Sequence, residues 1–268
     1  MVTSRASARA LARRASLSYA FLAVVAAGGV AESQQPLETE TARLPRRGVA
    51  LLGLTYEFQT SPLGTEHALP VAAEVGVTDH VALLIEPVFF TSIHPKSGRV
   101  ATGLGDLEAT LQFLVHDETR RVPALALAAE IKIPTAQDTL IGTRRADFTP
   151  YLIASKQFGQ FDAHLNVGYS FVGKPANVVV QNTTNIAVAL ENHVTPRLDL
   201  LGEFLTTTAA GTGASESATA PEIAGAEQVG MLGMRYLLRS RSWISLGVTY
   251  DNTNALLFRP GLTFESPF

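Results

Sequence analysis

The chain of 268 residues has no cysteine, which removes disulfides, thiolate metal sites, cysteine nucleophiles and any lipid-modified cysteine anchor. Outside the first thirty residues it also lacks any run of about eighteen uninterrupted apolar residues, so a multi-helix membrane protein is excluded. Charge is sparse at 17% and aromatic residues supply 7%, with one tryptophan, while 46% of the chain is hydrophobic. A chain of that apolar content folds, and its length suits one β-barrel or two small soluble domains.

What is present instead is alternation. From Leu107 to His116, residues Leu107, Ala109, Leu111, Phe113 and Val115 share one face, and Glu108, Thr110, Gln112 and His116 share the other. About ten residues in strict period two exceed the usual strand of a soluble sheet and match a tilted strand crossing a bilayer. The pattern recurs from Gly48 to the C-terminus. Short connections such as Asp79-His80, Phe158-Gly-Gln160 and Val194-Thr-Pro196 alternate with longer ones at 61–69, 91–102, 134–146, 173–184 and 208–226. That asymmetry predicts a closed antiparallel transmembrane β-barrel of about twelve strands, with short periplasmic turns and longer extracellular loops.

One face collects aliphatic and aromatic residues, among them Leu54, Val77, Leu127, Leu165, Val188 and Leu246, and is expected to touch lipid. The other face is expected to line the lumen. It carries Glu57, Glu74, Glu86, Asp106, Glu108, Glu130, Lys132, Asp162, His164, Asn166, Glu191, His193, Asp199, Glu203, Arg235 and Arg259. Acids outnumber bases there, so a water-filled lumen is expected to prefer cations. A soluble sandwich would show the same period with the sign reversed.

At the N-terminus, Arg5, Arg9, Arg13 and Arg14 precede an apolar run from Leu17 to Val30 and a small-residue exit at Ala31, the pattern of a signal peptide over residues 1–31. Its removal takes four of 21 basic residues and none of 24 acidic ones, leaving 17 against 24 and a net charge of −7. Such a balance argues against a nucleic-acid partner. Residues 32–47 carry charges and two prolines without periodicity, which predicts a flexible periplasmic leader too short to be a plug domain. The terminal Phe268 after an alternating strand resembles the signal read by the outer-membrane assembly machinery. The expected partners are that machinery and outer-membrane lipid.

No motif here demands a cofactor or a metal. Gly211 to Pro221 lacks the Lys-Ser/Thr of a phosphate-binding loop. Glu191 with His193 offers two ligands where zinc needs four. Asp162, His164 and Asn166 share a face, with Ser155 on the neighbouring strand, but the His-x-Ser-Asn-Gly signature of outer-membrane phospholipases is absent. A non-enzymatic barrel is the expectation. A lipid-acting enzyme and a sealed structural or adhesive barrel are the alternatives.

Four phrases carry a family resemblance: Gly103-Leu-Gly-Asp-Leu107, Glu130-Ile-Lys-Ile-Pro-Thr135, Pro150-Tyr-Leu-Ile-Ala-Ser-Lys-Gln-Phe158 and His164-Leu-Asn-Val-Gly-Tyr-Ser-Phe-Val-Gly173. In order and spacing they resemble the outer-membrane transporter family named for the meta-cleavage pathway of phenol degradation. Ala136 stands where that family usually has glycine. The resemblance implies an outer-membrane barrel in a bacterium, passing aromatic or other small hydrophobic compounds, with no catalytic residues attached to its motifs.

Overall fold

The computed structural model describes residues 35, 37–174, 179–210, 226–239 and 241–268. The expected signal peptide and the Gly211–Pro221 loop lie outside them. The described residues form one all-antiparallel sheet: β1 (Val49–Thr55), β2 (Glu57–Ser61), β3 (Gly64–Thr78), β4 (Val81–Pro95), β5 (Ala101–Gly103), β6 (Leu107–His116) and β7 (Ala124–Ile133) come first. They are followed by β8 (Asp147–Phe158), β9 (Phe161–Ser170), β10 (Thr183–Thr195), β11 (Leu198–Thr207), β12 (Glu227–Arg239), β13 (Ser242–Asp251) and β14 (Leu256–Pro267). Both β1 and β2 pair with β3 on one side and β14 on the other, and both β5 and β6 pair with β4. Each of these two pairs is one interrupted stave, so the described strands make twelve staves.

The sheet closes where β1 meets β14, from Val49↔Pro267 to Thr55↔Gly261. Closure is obligatory in lipid, because each unpaired backbone group there costs several kcal/mol. The seam breaks at Tyr56. Opposite it, Pro260 has no N–H to give, and only its carbonyl takes part, accepting the Tyr56 N–H at 3.0 Å. The final residue extends the seam, the Phe268 N–H donating to Gly48 O at 2.9 Å.

The sign of the alternation is decided by exposure. Leu165 is 42% exposed and its neighbours His164 and Asn166 are 3% and 5% exposed. Leu54, Val77, Leu127, Val188, Leu200 and Leu246 are exposed like Leu165. The aliphatic rows therefore face outward and the polar rows face a buried interior, as in a transmembrane barrel. A bulge modulates this. In β3 and β4 the register shifts between Ala68 and Pro70, which leaves Phe89 and Phe90 both exposed on the outer surface.

Three expectations need correction. The connections at 61–69 and 91–102 are not long loops: β2 and β3 meet through Pro62-Leu63, and β4 runs on to Pro95 against β5. Paired polar strands thus rise above the apolar belt where the composition suggests coil. The interior is not uniformly polar either, since Leu51, Leu84, Leu201, Met231 and Trp243 are inward and buried, as is Ile153. The third concerns residues 32–47. Of these, Gln35 and 37–47 are described, and they form no free leader: Thr39 is 0% exposed, Thr41 3% and Ala42 0%.

The folded barrel should migrate faster than its boiled form in SDS gels, and Leu165→Arg should lower its stability in lipid by about 2–4 kcal/mol, read by denaturant titration. Unchanged stability in that variant would place Leu165 away from lipid.

Candidate functional site

The N-terminal segment enters the lumen at the periplasmic rim beside Gly76 of β3. The backbone approach is so close that a Cβ at Gly76 would lie 2.2 Å from Arg46 O and 2.4 Å from Pro45 O. Only glycine admits the segment there. It then meets β7, whose inward residues Ala124, Ala126 and Ala128 are all small and leave room for Ala42, with Ile153 of β8 completing an apolar contact. Farther along, Leu37 packs on the bare backbone of β12, where a Cβ at Gly233 would lie 2.7 Å from its Cδ1.

Each buried backbone group of the segment has to find a partner inside the barrel. The Ala42 N–H donates to Ser155 Oγ at 2.8 Å, and Gln112 Nε2 donates to Thr41 O at 2.6 Å. Asn166 imitates a neighbouring strand: its Oδ1 accepts the Glu40 N–H at 2.7 Å while its Nδ2 donates to Glu40 O at 2.9 Å. Glu203 Oε2 accepts the N–H and hydroxyl of Thr39 at 3.0 and 2.8 Å, and the Glu38 N–H at 3.2 Å. Arg235 Nη1 donates to Gln35 O at 3.2 Å. From Thr39 to Gln35 the chain has turned back toward the periplasm, because Arg235 pairs with Asp199, four residues nearer the periplasmic turn of β11 than Glu203.

Ionic contacts complete the closure. Arg43 Nη2 lies 2.9 Å from both Asp162 and Glu118, and Lys156 Nζ lies 2.8 Å from Glu118. Arg259 pairs with Glu38 of the segment and, at 2.9 Å, with Glu57. Asp162 and Glu191 face each other directly across β9 and β10, an opposition of like charges that would repel by itself. Cations relieve it from both sides: His193 Nε2 is 2.9 Å from Asp162 and its Nδ1 2.7 Å from Asp199, while Arg235 Nη2 is 2.7 Å from Glu191 and 3.1 Å from Asp199. The ligand atoms of Glu191, His193 and Asp199 could gather round a metal ion, but the Arg235 guanidinium already fills the cationic position between the carboxylates.

The opposite wall is acidic. Glu86 faces Glu108 across β4 and β6, Glu108 faces Lys132 across β6 and β7, and Thr110 faces Glu130. Lys132 itself is paired with Asp147. Glu74 is 7% exposed on the same side. The expected lumen residues are thus divided between a balanced ionic lattice on β9–β12, which meets the N-terminal segment, and an acid-rich wall on β3–β7.

Asp106 has a different task. Its Oδ1 accepts the Ala136 N–H at 3.0 Å, and Thr135 Oγ1 donates to Gly105 O at 2.7 Å, folding the 134–146 loop back over the β5–β6 corner. Arg99 grips Asp138 of that loop through two bonds of 2.5 and 2.6 Å. This hydrogen-bonded pairing with Arg99, with the Leu140 N–H adding to it, holds the Asp138 carboxyl down to about 2. Ser155 Oγ and His164 Nδ1 are 2.8 Å apart, and His164 Nε2 is 3.5 Å from Glu191. That is a hydroxyl–imidazole–carboxylate array, but the Ala42 N–H and the Thr41 hydroxyl, 3.3 Å away, crowd the Ser155 oxygen, which is 1% exposed.

On the extracellular side of the segment a cavity of about 250 Å³ opens between β11–β14 and β2. Leu205, Val229, Met231 and Leu257 give it an apolar wall, and Glu38 with Arg259 belongs to its polar boundary. Composition could not reveal this space, because Glu38, on the far side of the turn in the N-terminal segment, forms part of its floor.

A closed twelve-stave barrel with a lipid-facing apolar belt and a buried polar interior is the architecture of the outer-membrane porins and channels. Residues 49–261 match the family described as "Putative MetA-pathway of phenol degradation", and the chain belongs to that family. Among solved structures it is similar to an outer membrane channel from Pseudomonas putida F1, at 14% identity over 85% of this chain and 98% of that one, with a TM-score of 0.65. It is also similar to NanC porin (9% identity, 80% of this chain and 98% of that one, TM-score 0.55) and KdgM porin (9%, 79% and 98%, TM-score 0.52). At these identities the likeness is one of fold. No curated protein matches the sequence.

Two outcomes are expected. Asn166→Ala removes both bonds to Glu40 and should loosen the segment by about 1–3 kcal/mol, read as faster amide exchange at 38–42 with the strands unchanged. The Asp138 pair should contribute fully above the unfolded carboxylate range near 4 and be lost as pH falls through about 2, so Asp138 carboxyl shifts followed by NMR should titrate near that value, and in Arg99→Ala should return toward 4.

Proposed function

We propose that the protein is a passive channel of the bacterial outer membrane for small, partly apolar molecules, aromatic compounds among them. The carrying observation is the lumen itself: among the described residues it holds one thin chain segment, tied down by side-chain hydrogen bonds, beneath a cavity with an apolar wall. A sealed structural barrel has no need of either feature, because staves can carry their own bulky inward side chains. Membership of a family named for phenol degradation supports the aromatic part of the reading. Permeants would pass along Glu74, Glu86, Glu108 and Glu130 on the acidic side, so small cations should leak more readily than anions.

The barrel acts without chemistry in this reading. The Ser155 oxygen accepts a backbone N–H from the segment, which competes for the lone pair an attacking nucleophile would use, and Ser155 is closed off from lipid. Exposed Phe268 at the seam suits recognition by the assembly machinery, and the outward aliphatic rows suit outer-membrane lipid.

In planar bilayers the parent protein should show a small conductance that favours cations, and the Asn166→Ala/Glu203→Ala double variant a conductance several-fold larger. Absence of current in both would replace the channel with a sealed barrel. On a reporter lipid ester, neither the parent nor His164→Ala should give turnover; hydrolysis by the parent that His164→Ala abolishes would establish an enzyme.

A further inference from the structure

We infer that the periplasmic rim is a docking surface for the phosphodiester headgroups of anionic phospholipids, held by arginines set round its edge. The inference rests on the outward aliphatic rows facing lipid, and it holds whether or not the barrel is a channel. Five arginines at the periplasmic ends of the staves are exposed: Arg46 and Arg47 before β1, Arg120 and Arg121 between β6 and β7, and Arg197 between β10 and β11. None of these side chains has an ion pair or a hydrogen bond among the described residues, whereas Arg43, Arg99, Arg235, Arg241 and Arg259 are all paired.

The acids nearby do not offset the five. Glu118 is taken by Arg43 and Lys156, and Glu265 lies 3.9 Å from Arg241, which leaves Asp79 and Asp117 as the side-chain carboxylates of these turns without an ion pair. Unpaired positive charge thus collects at one end of a chain whose acids outnumber its bases. The unpaired bases on this rim are all arginine, and the exposed Lys96 and Lys174 lie on the extracellular side. A guanidinium offers a phosphate two parallel N–H donors in a planar fork, which an ammonium cannot do.

Position favours a bilayer over a soluble partner. The Arg46 carbonyl lies against Gly76, next to exposed Val77, and the N–H of exposed Phe268 donates to Gly48 O at 2.9 Å just beyond Arg47. Arg120 and Arg121 form the tip of a turn in which the Thr119 N–H donates to Val122 O at 2.9 Å, and both Val122 and Val115 are exposed. The Arg197 carbonyl accepts the Leu237 N–H at 2.8 Å, between exposed Tyr236 and Leu238. The arginines therefore stand where the lipid-facing rows end, in three sectors of the ring separated by several staves. A folded acidic partner would need its cations in one patch, whereas the anionic surface of a bilayer meets them all round the perimeter.

The test is electron paramagnetic resonance of the full, folded protein in phosphatidylcholine vesicles carrying trace spin-labelled phosphatidylglycerol or spin-labelled phosphatidylcholine. The motionally restricted fraction should favour phosphatidylglycerol by about twofold or more, averaged over the whole belt, and the preference should shrink as salt rises. Arg46→Gln/Arg47→Gln and Arg120→Gln/Arg121→Gln should each reduce it while keeping the heat-modifiable gel shift of a folded barrel. Lys96→Gln/Lys174→Gln, which removes as many charges from the extracellular side, should leave it unchanged. Equal restriction of the two lipids by the parent, folded arginine variants that keep its full preference, or an equal loss from the lysine variant would each overturn the ring. Restricted lipid without headgroup preference leaves the lipid-facing surface standing, and no restricted lipid from either label would sink that surface as well.

Discussion

A sheet in hydrocarbon has nowhere to leave an unpaired amide, and everything else in this protein follows from that constraint. Because β1 must pair with β14, the sheet has an inside, and because the period of a strand is two, half of every stave points into it. Charged side chains that would cost too much against lipid collect there by default. Once collected, they face one another at strand spacing, and the structure must cope with carboxylates set opposite carboxylates, as Glu191 is to Asp162 and Glu86 to Glu108.

The two sides of the barrel cope differently. On β9–β12 Asp162, Glu191 and Asp199 are answered by cations, with Arg43 reaching in from the N-terminal segment and Arg235 and His193 coming from the wall, while Glu203 takes its hydrogen bonds from Thr39. Removing a partner from such a buried lattice strands a charge, which generally costs about 3–5 kcal/mol, so the lattice holds the segment's path as firmly as it holds the wall. On β3–β7 the acids have Lys132 close by, and Lys132 is committed to Asp147. One side of the lumen therefore pairs most of its acids with cations, and the other carries more carboxyl groups than bases.

Alternation made the staves and their faces legible from single residues. Leu165 and His164, adjacent in the chain, fall on opposite surfaces as period two requires. The family phrases were legible as strings, but not as contacts. Gly103–Leu107 and Glu130–Thr135 meet where Thr135 and Ala136 bond back to Gly105 and Asp106, and the other two meet through Ser155 and His164. The N-terminal segment is not legible as a lumen occupant for a physical reason. A stretch with charges, prolines and no period cannot build its own core, yet it needs none when a barrel supplies every partner. Among the described residues the local signals are in the hosts: three inward alanines on β7, Gly76, and Gly233. Small residues in alternating positions mark a groove only once something is known to lie in it.

The turn of the segment within the lumen bears on assembly. Gly48 leads out to β1 at the periplasmic rim, and Gln35, after the chain has doubled back, lies toward the same rim. A strand of rope pushed into a tube as a bight can be drawn out again by pulling on either arm, without its end ever passing through. For the described residues, both arms of the bight, at Gln35 and Gly48, lie on the periplasmic side of its turn, so drawing this stretch out of the lumen requires no stave to part from its neighbour.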